Sequence, residues 1–273
     1  MVAVSAILAS LDLEEVGPGR YRAPNAASTH NVVFGGQLLA QSMVAALRGN
    51  DGKVVKTLHT VFARPASPEE PVELAVEPVH AGRSLASSTV TIGQGGRVCT
   101  RSLVLMSADE PDLIRHADRA PALQPPPPGG DSGDWEVRIV GDVDLSDSEA
   151  VGPPELEVWT RFPGAPDDLA TSQALLAFAT DGFLIGTAMR PHAGVSQAQA
   201  HRTLSTGVLS HTITFHEPLA AGEWLLLVHR SPYAGRGRSY GRADVFRTDG
   251  QLVASFVQDS MIRAMAERGG ARL

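Results

Sequence analysis

The chain has 273 residues, room for one large domain or two small ones, with 43% hydrophobic and 19% charged residues. Its lone cysteine, Cys99, excludes an internal disulfide framework and an all-cysteine metal cluster. A formal charge of −7 and only 5% aromatic residues argue against a nucleic-acid partner, while leaving room for a local basic pocket holding one anion.

Residues 1–11 read as a short amphipathic helix with Val4, Ile7, Leu8 and Leu11 on one stripe, stopped by Gly17, Pro18 and Gly19. They lack the basic leading region of an export signal. No uninterrupted apolar run approaches the ~18 residues of a membrane span, so a cytoplasmic protein is expected. Residues 35–47 (GGQLLAQSMVAAL) are apolar almost all round, which predicts a buried helix. Strand-like runs follow, the last two joined by GQGGR as a β-hairpin. Cys99 sits in one of these runs and reads as a small buried residue rather than a nucleophile.

Residues 109–134 carry DEPDL, the four prolines 125–128, Gly129, Gly130 and DSGD. Proline cannot serve a central strand, so this is a surface connector, and acidic, weakly apolar sequence continues to about residue 157. The expected organisation is an N-terminal unit 1–108, a connector 109–157 and a C-terminal unit 158–273. The second unit has its own apolar helical stretch at 172–189, then strand-like runs ending in a hairpin at TDGQ.

The two units resemble each other. Setting Gly82, Arg83 and Ser84 against Gly237, Arg238 and Ser239 without a gap brings Val90 to Val245, Gly95 to Gly250, Val98 to Val253 and Met106 to Met261. Upstream, Phe62-x-x-Pro65 parallels Phe215-x-x-Pro218. Each unit thus reads as one apolar helix followed by three or more long antiparallel strands. The expected class is α+β, two antiparallel sheets each wrapped around one long apolar helix.

That order of elements, with VFGGQLLAQSM at 33–43, SHTITFHEP at 210–218 and DGQLVASFVQDSMIR at 249–263, resembles the TesB-type (thioesterase II) acyl-CoA thioesterases, which are double hotdogs. The resemblance spans most of the chain outside the proline-rich connector. It implies one active site between the halves that hydrolyses fatty acyl-CoA, with no metal or organic cofactor beyond the coenzyme A of the substrate. It also implies a homo-oligomer, dimer or tetramer. Family members hold the attacking water with an aspartate, a serine or threonine, and a glutamine. By the resemblance these fall on Asp181, on Val208, and on Gln258. Val208 departs from the pattern because it has no hydroxyl; Ser210, two residues along and hence on the same strand face, is the expected stand-in.

The residues themselves carry a parallel reading. Asp181 interrupts an apolar stretch, where desolvation would raise its pKa and suit it to accept a proton. Thr180, Asp181 and Gly182 are equally the chemistry of a helix cap. Gln258 ends a strand-like run, and an amide can both accept from and donate to one water. Its counterpart in the gap-free match is Leu103, and Gly35, outside that match, is taken as the counterpart of Asp181, so the polar pair occurs once. Arg236, Arg238 and Arg242, with Arg230 and Arg247, crowd one segment; they either bind the phosphates of coenzyme A or form a solvated hairpin face. His211 and His216 are five apart, face opposite ways on a regular strand, and so do not chelate one metal. GRSYG at 237–241 spells GxSxG but lies among strand-like runs and not in the strand–turn–helix context of a nucleophile elbow, and no GxGxxG occurs. The alternatives are a hydratase or dehydratase on the same fold, a non-catalytic acyl-CoA binder, or a scaffold.

Overall fold

The computed structural model describes residues 2–26, 31–127 and 133–265. Helix α1 (Val4–Ser10) and strands β1 (Glu14–Gly17) and β2 (Arg20–Ala23) lead into helix α2 (Gly35–Leu47). Strands β3 (Val54–Phe62), β4 (Val72–Ala81), β5 (Leu85–Gln94) and β6 (Arg97–Ser107) complete the first half. The second half repeats this order: β7 (Glu136–Ile139), β8 (Glu155–Arg161), α3 (Leu169–Thr180), α4 (Leu184–Met189), then β9 (Leu204–Phe215), β10 (Leu225–Gly235), β11 (Arg238–Arg247) and β12 (Leu252–Ala264). Strand β7 and the start of β8 lie within residues 109–157, so that stretch contributes to the sheet as well as connecting. The end of the proline run and Gly129 and Gly130 fall outside the described residues.

The strands join in one twelve-stranded sheet of order β1-β2-β4-β5-β6-β3-β9-β12-β11-β10-β8-β7. Its two six-stranded halves have the same internal order. They meet edge to edge where β3 pairs antiparallel with β9, from Thr57↔Thr214 to Val61↔Ser210. Across that seam His59 Nδ1 bonds Thr212 Oγ1 at 2.7 Å, and the Lys56 ammonium donates to the Phe215 carbonyl. The seam closes two sheet edges that would otherwise expose unpaired backbone groups.

Helix α2 is buried on almost every side, as its composition demands. It packs against β3 to β6 and lies along α3. Leu38, Leu39 and Met43 are fully buried there, each contributing roughly 1.5–3 kcal/mol. The stretch Leu169–Met189 is apolar and long enough for a membrane span, but it is mostly buried in the fold and broken in two. After the break, α4 packs against β10 and β11, while α3 stays beside α2.

Both hairpin turns read from the sequence are present, but they differ in length. Strands β5 and β6 are joined by Gly95 and Gly96, both at positive φ, as a two-residue turn requires. Between β11 and β12 the Arg247 N–H donates to the Gln251 carbonyl at 2.9 Å, which leaves Thr248, Asp249 and Gly250 in the turn, one residue more. A gap-free match therefore cannot hold both strands in phase, and a one-residue slip moves a side chain to the other face. Phe62 and Phe215 end β3 and β9, and four residues before them stand Leu58 and His211, both fully buried. Leu58 pairs with Val104, which pairs with Ser88; His211 pairs with Gln258, which pairs with Gly241. The counterpart of Gln258 is thus Val104, not Leu103, which points outward and is 51% exposed.

Candidate active site

The break between α3 and α4 creates the site. Helix α3 starts at Asp168, whose side chain accepts from the Thr171 N–H at 2.8 Å, and ends at Asp181. Asp181 does not cap the turn that follows: α4 begins at Phe183, which makes no side-chain cap bond. Its carboxylate instead reaches across to the first turn of α2, against the N–H groups of Gly36 and Gly35. That approach needs both glycines. A Cβ on Gly35 would stand 2.7 Å from Asp181 Oδ2, and one on Gly36 only 2.1 Å from the Phe178 carbonyl oxygen. Gly35, matched to Asp181 by sequence, is therefore its neighbour in space.

Burial pushes the Asp181 carboxyl up to about 7, with the two N–H groups pulling the other way. Oδ1 is shut off from solvent and has no hydrogen-bond partner among the described residues. Such an atom is an acceptor waiting for a donor.

The adjoining sheet supplies the other polar groups. Thr180 Oγ1 donates to the Ala177 carbonyl at 2.8 Å and lies 3.1 Å from His211 Nε2. His211 is 0% exposed and stacks on Phe256 at 5.5 Å. Directly across on β12 is Gln258, 1% exposed, while Leu184 of α4 covers Gly241 at the end of the same row. Gln258 faces His211, which partly counters the burial that drives the imidazole pKa down to about 3. Neither amide atom of Gln258, nor His211 Nδ1, makes a hydrogen bond of good geometry among the described residues. The structure thus gathers Asp181, His211 and Gln258 around the α3–α4 break, each with an unsatisfied polar atom.

A family model of the acyl-CoA thioesterase N-terminal domain matches residues 23–107, and one of the C-terminal domain matches residues 107–262. This chain belongs to the acyl-CoA thioesterase family. Acyl-coenzyme A thioesterase 8 of Mus musculus is 25% identical to it over 298 aligned positions, covering 96% of this chain and 90% of the relative. The crystal structure of the acyl-CoA thioesterase II TesB2 of Mycobacterium marinum superposes with a TM-score of 0.79 at 30% identity, covering 98% of this chain and 99% of that one. A hot dog fold protein of unknown function from Alicyclobacillus acidocaldarius, at 21% identity, has a TM-score of 0.76 over 96% of this chain and 99% of its own. The architecture is the α+β double hotdog, and the thioesterase hydrolyses acyl-CoA thioesters; hydratase, binder and scaffold readings are not favoured.

Two expectations about the thioesterase site meet a different geometry. Ser210 does not share a face with Val208. Val208 pairs with Ser260 and Ser210 with Asp259, so Leu209 is an extra residue in β9, and that bulge reverses the alternation. Ser210 stands on the outer face, where its hydroxyl donates to Asp259 Oδ2 at 3.0 Å. The arginines are not brought to Asp181 either. Arg238 and Arg242 alternate with the inward Ser239, Gly241 and Ala243, and so project from the opposite face of the sheet. Arg236 sits in the β10–β11 turn at φ 56.

Three groups escaped the sequence reading. Ser260, 1% exposed, lies on the Gln258 face directly across from Val208, and its hydroxyl makes no hydrogen bond among the described residues. His229 is buried beside Phe183 and Phe256, its Nδ1 donating to the Leu156 carbonyl at 3.0 Å. His211 has no role in the sequence reading beyond its exclusion as a metal ligand. The available signal was a polar residue placed four before Phe215 where the first half has leucine.

Proposed function

We propose that the thioesterase hydrolyses fatty acyl-CoA to free fatty acid and coenzyme A by a directly activated water. Asp181 takes the proton of that water and Gln258 orients it. The water oxygen bonds to the thioester carbonyl carbon, the C–S bond then breaks, and the thiolate leaves and is protonated. The observation that supports this is the buried, unpartnered Asp181 Oδ1 on a carboxyl whose pKa lies near neutrality, where a general base works best.

Release of thiol from a panel of acyl-CoAs of increasing chain length tests the reading. Because only the carboxylate accepts a proton, kcat/KM should rise with pH and level off above about 7. No release from any acyl-CoA, or a rate flat from pH 5 to 9, overturns it.

The third water contact in this reading is the Ser260 hydroxyl, taking from β12 the place that Val208 leaves empty on β9. Ser260→Ala should lower kcat about tenfold, in line with loss of one orienting contact. The double variant Ser260→Ala, Val208→Thr should recover most of it, because the hydroxyl returns from the facing strand. Loss without recovery would remove Ser260 from the mechanism. Assembly as a homodimer or tetramer completes the reading, supported by Val61, Leu103 and Leu105, which leave apolar side chains exposed on strands beside the β3–β9 seam.

A further inference from the structure

Three polar atoms at the β9–β12 pair are buried without partners: His211 Nδ1 and both the Nε2 and Oε1 of Gln258. Each such atom costs about 1–3 kcal/mol when it stays unsatisfied, so an arrangement that pairs them is favoured once substrate and water are present. The two side chains are direct cross-strand partners on one face. Only their relative orientation remains to be fixed.

The hydroxyl of Thr180 fixes it. Thr180 has a single hydrogen, which it spends on the Ala177 carbonyl at 2.8 Å. At 3.1 Å from His211 Nε2 its oxygen can then only accept, so the imidazole carries its proton on Nε2. Nδ1 is left as a bare lone pair directed at Gln258. Of the two ends of the amide, only Nε2 can donate to it. Oε1 is then turned away and left free to accept a hydrogen from water.

We infer that His211 is a positioning residue of the thioesterase: it accepts from Gln258 Nε2 and so holds the amide with Oε1 toward the attacking water. The inference rests on the reading of Gln258 as the water-orienting group. Burial keeps the ring neutral well below the working range, since its pKa is pushed down to about 3 and the lone pair persists. Stacking on Phe256 and the bond to Thr180 hold the ring plane, so this register is built into the strand pair. The chain Ala177–Thr180–His211–Gln258 thereby links the end of α3, where Asp181 stands, to the strand that carries the amide. In the first half the equivalent pair is Leu58 and Val104, which offers no such device.

The test is a double-mutant cycle on the full chain, with thiol release from an acyl-CoA that the wild-type protein turns over. His211→Phe keeps a ring on Phe256 but offers no lone pair. It is expected to lower kcat on the order of 10²-fold through misorientation, with KM nearly unchanged. His211→Asn, whose side-chain oxygen reaches the Nδ1 position, should recover roughly a tenth or more of wild-type kcat on the same rate scale. In a Gln258→Ala background, His211→Phe should have no further effect. Equal losses in both backgrounds, or losses that track the melting temperature rather than the Nδ1 acceptor, overturn the inference. If Gln258→Ala alone leaves kcat intact, the assignment of Gln258 fails first, and the two failures are distinguished.

Discussion

Asp181→Asn is expected to lower kcat about 10³-fold and, at pH 8, to raise thermal stability. The first effect follows from removing the proton acceptor while keeping the shape. The second follows from linkage. The folded carboxyl has a pKa of about 7 against an ordinary 3.8, so between those values the native state binds more protons than the unfolded state. Stability therefore falls as pH rises through this window, and above it the native state carries the whole penalty of a desolvated carboxylate. The full shift would correspond to roughly 4 kcal/mol, but Asp181 is only half-buried as a residue, so about 2 kcal/mol is the reasonable figure. Asparagine is neutral at every pH and escapes it. The variant should melt about 4–8 °C above the wild type at pH 8. The gain should shrink steadily as pH falls from 7 toward 4, and it should vanish only below the ordinary value of 3.8, where the wild-type carboxyl is protonated in both states. Turnover retained in the variant, or a melting difference that does not shrink between pH 8 and pH 4, would refute the assignment. At the proposed site around Asp181 the fold would thus give up stability for chemistry, as strained or desolvated sites commonly do.

What the sequence discloses and what it hides divide along one physical line. Period and composition are local, so α2, the two hairpins and the apolar stretch that becomes α3 and α4 are legible from their own residues. The duplication is legible because it repeats that local order. Face, by contrast, depends on counting, and a count fails wherever one residue is inserted. Leu209 bulges out of β9 and sends Ser210 to the outer surface. The gap-free match anchored on Gly82 and Gly237 runs one residue out of phase along β12, and so sets Leu103 against Gln258 where Val104 belongs. Leu209 is neither glycine nor proline and does not announce its bulge, and Gly250 marks the β11–β12 turn without giving its length. The contact of Asp181 with Gly35 and Gly36 is hidden for another reason, since it joins the end of one helix to the start of another across 146 positions of sequence, 181 less 35. The resemblance supplied Asp181 and Gln258. It could not supply His211, because nothing local distinguishes a buried histidine that orients an amide from one that is merely satisfied.

Gly36→Ala is expected to be the most destabilising single methyl in the protein, and Gly35→Ala beside it to spare stability and impair turnover. Both glycines open α2, and both face the end of α3, but what a new Cβ would meet differs. At Gly36 it meets the Phe178 carbonyl oxygen at 2.1 Å and the Phe34 ring at 2.7 Å. The first is backbone of a helix buried on nearly every side, and the ring packs against Phe178 at 4.9 Å. Neither can move alone, so α2 and α3 must separate, opening the contact between the two halves of the core. Overpacking of this kind costs about 3 kcal/mol or more. For a chain of this size that corresponds to a fall of roughly 10 °C in melting temperature. The folded fraction should keep its KM. At Gly35 the new methyl meets the Asp181 carboxylate, 2.7 Å from Oδ2, and a side-chain end can swing aside. The melting temperature should then change by no more than about 3 °C, while kcat falls on the order of 10²-fold because the carboxylate has left its place against the α2 N-terminus. Thermal melts of the two variants beside their initial rates separate the cases. Should Gly35→Ala turn over normally, Asp181 does not need the α2 terminus; should Gly36→Ala melt with the wild type, the two helices are not packed as closely as their glycine requires.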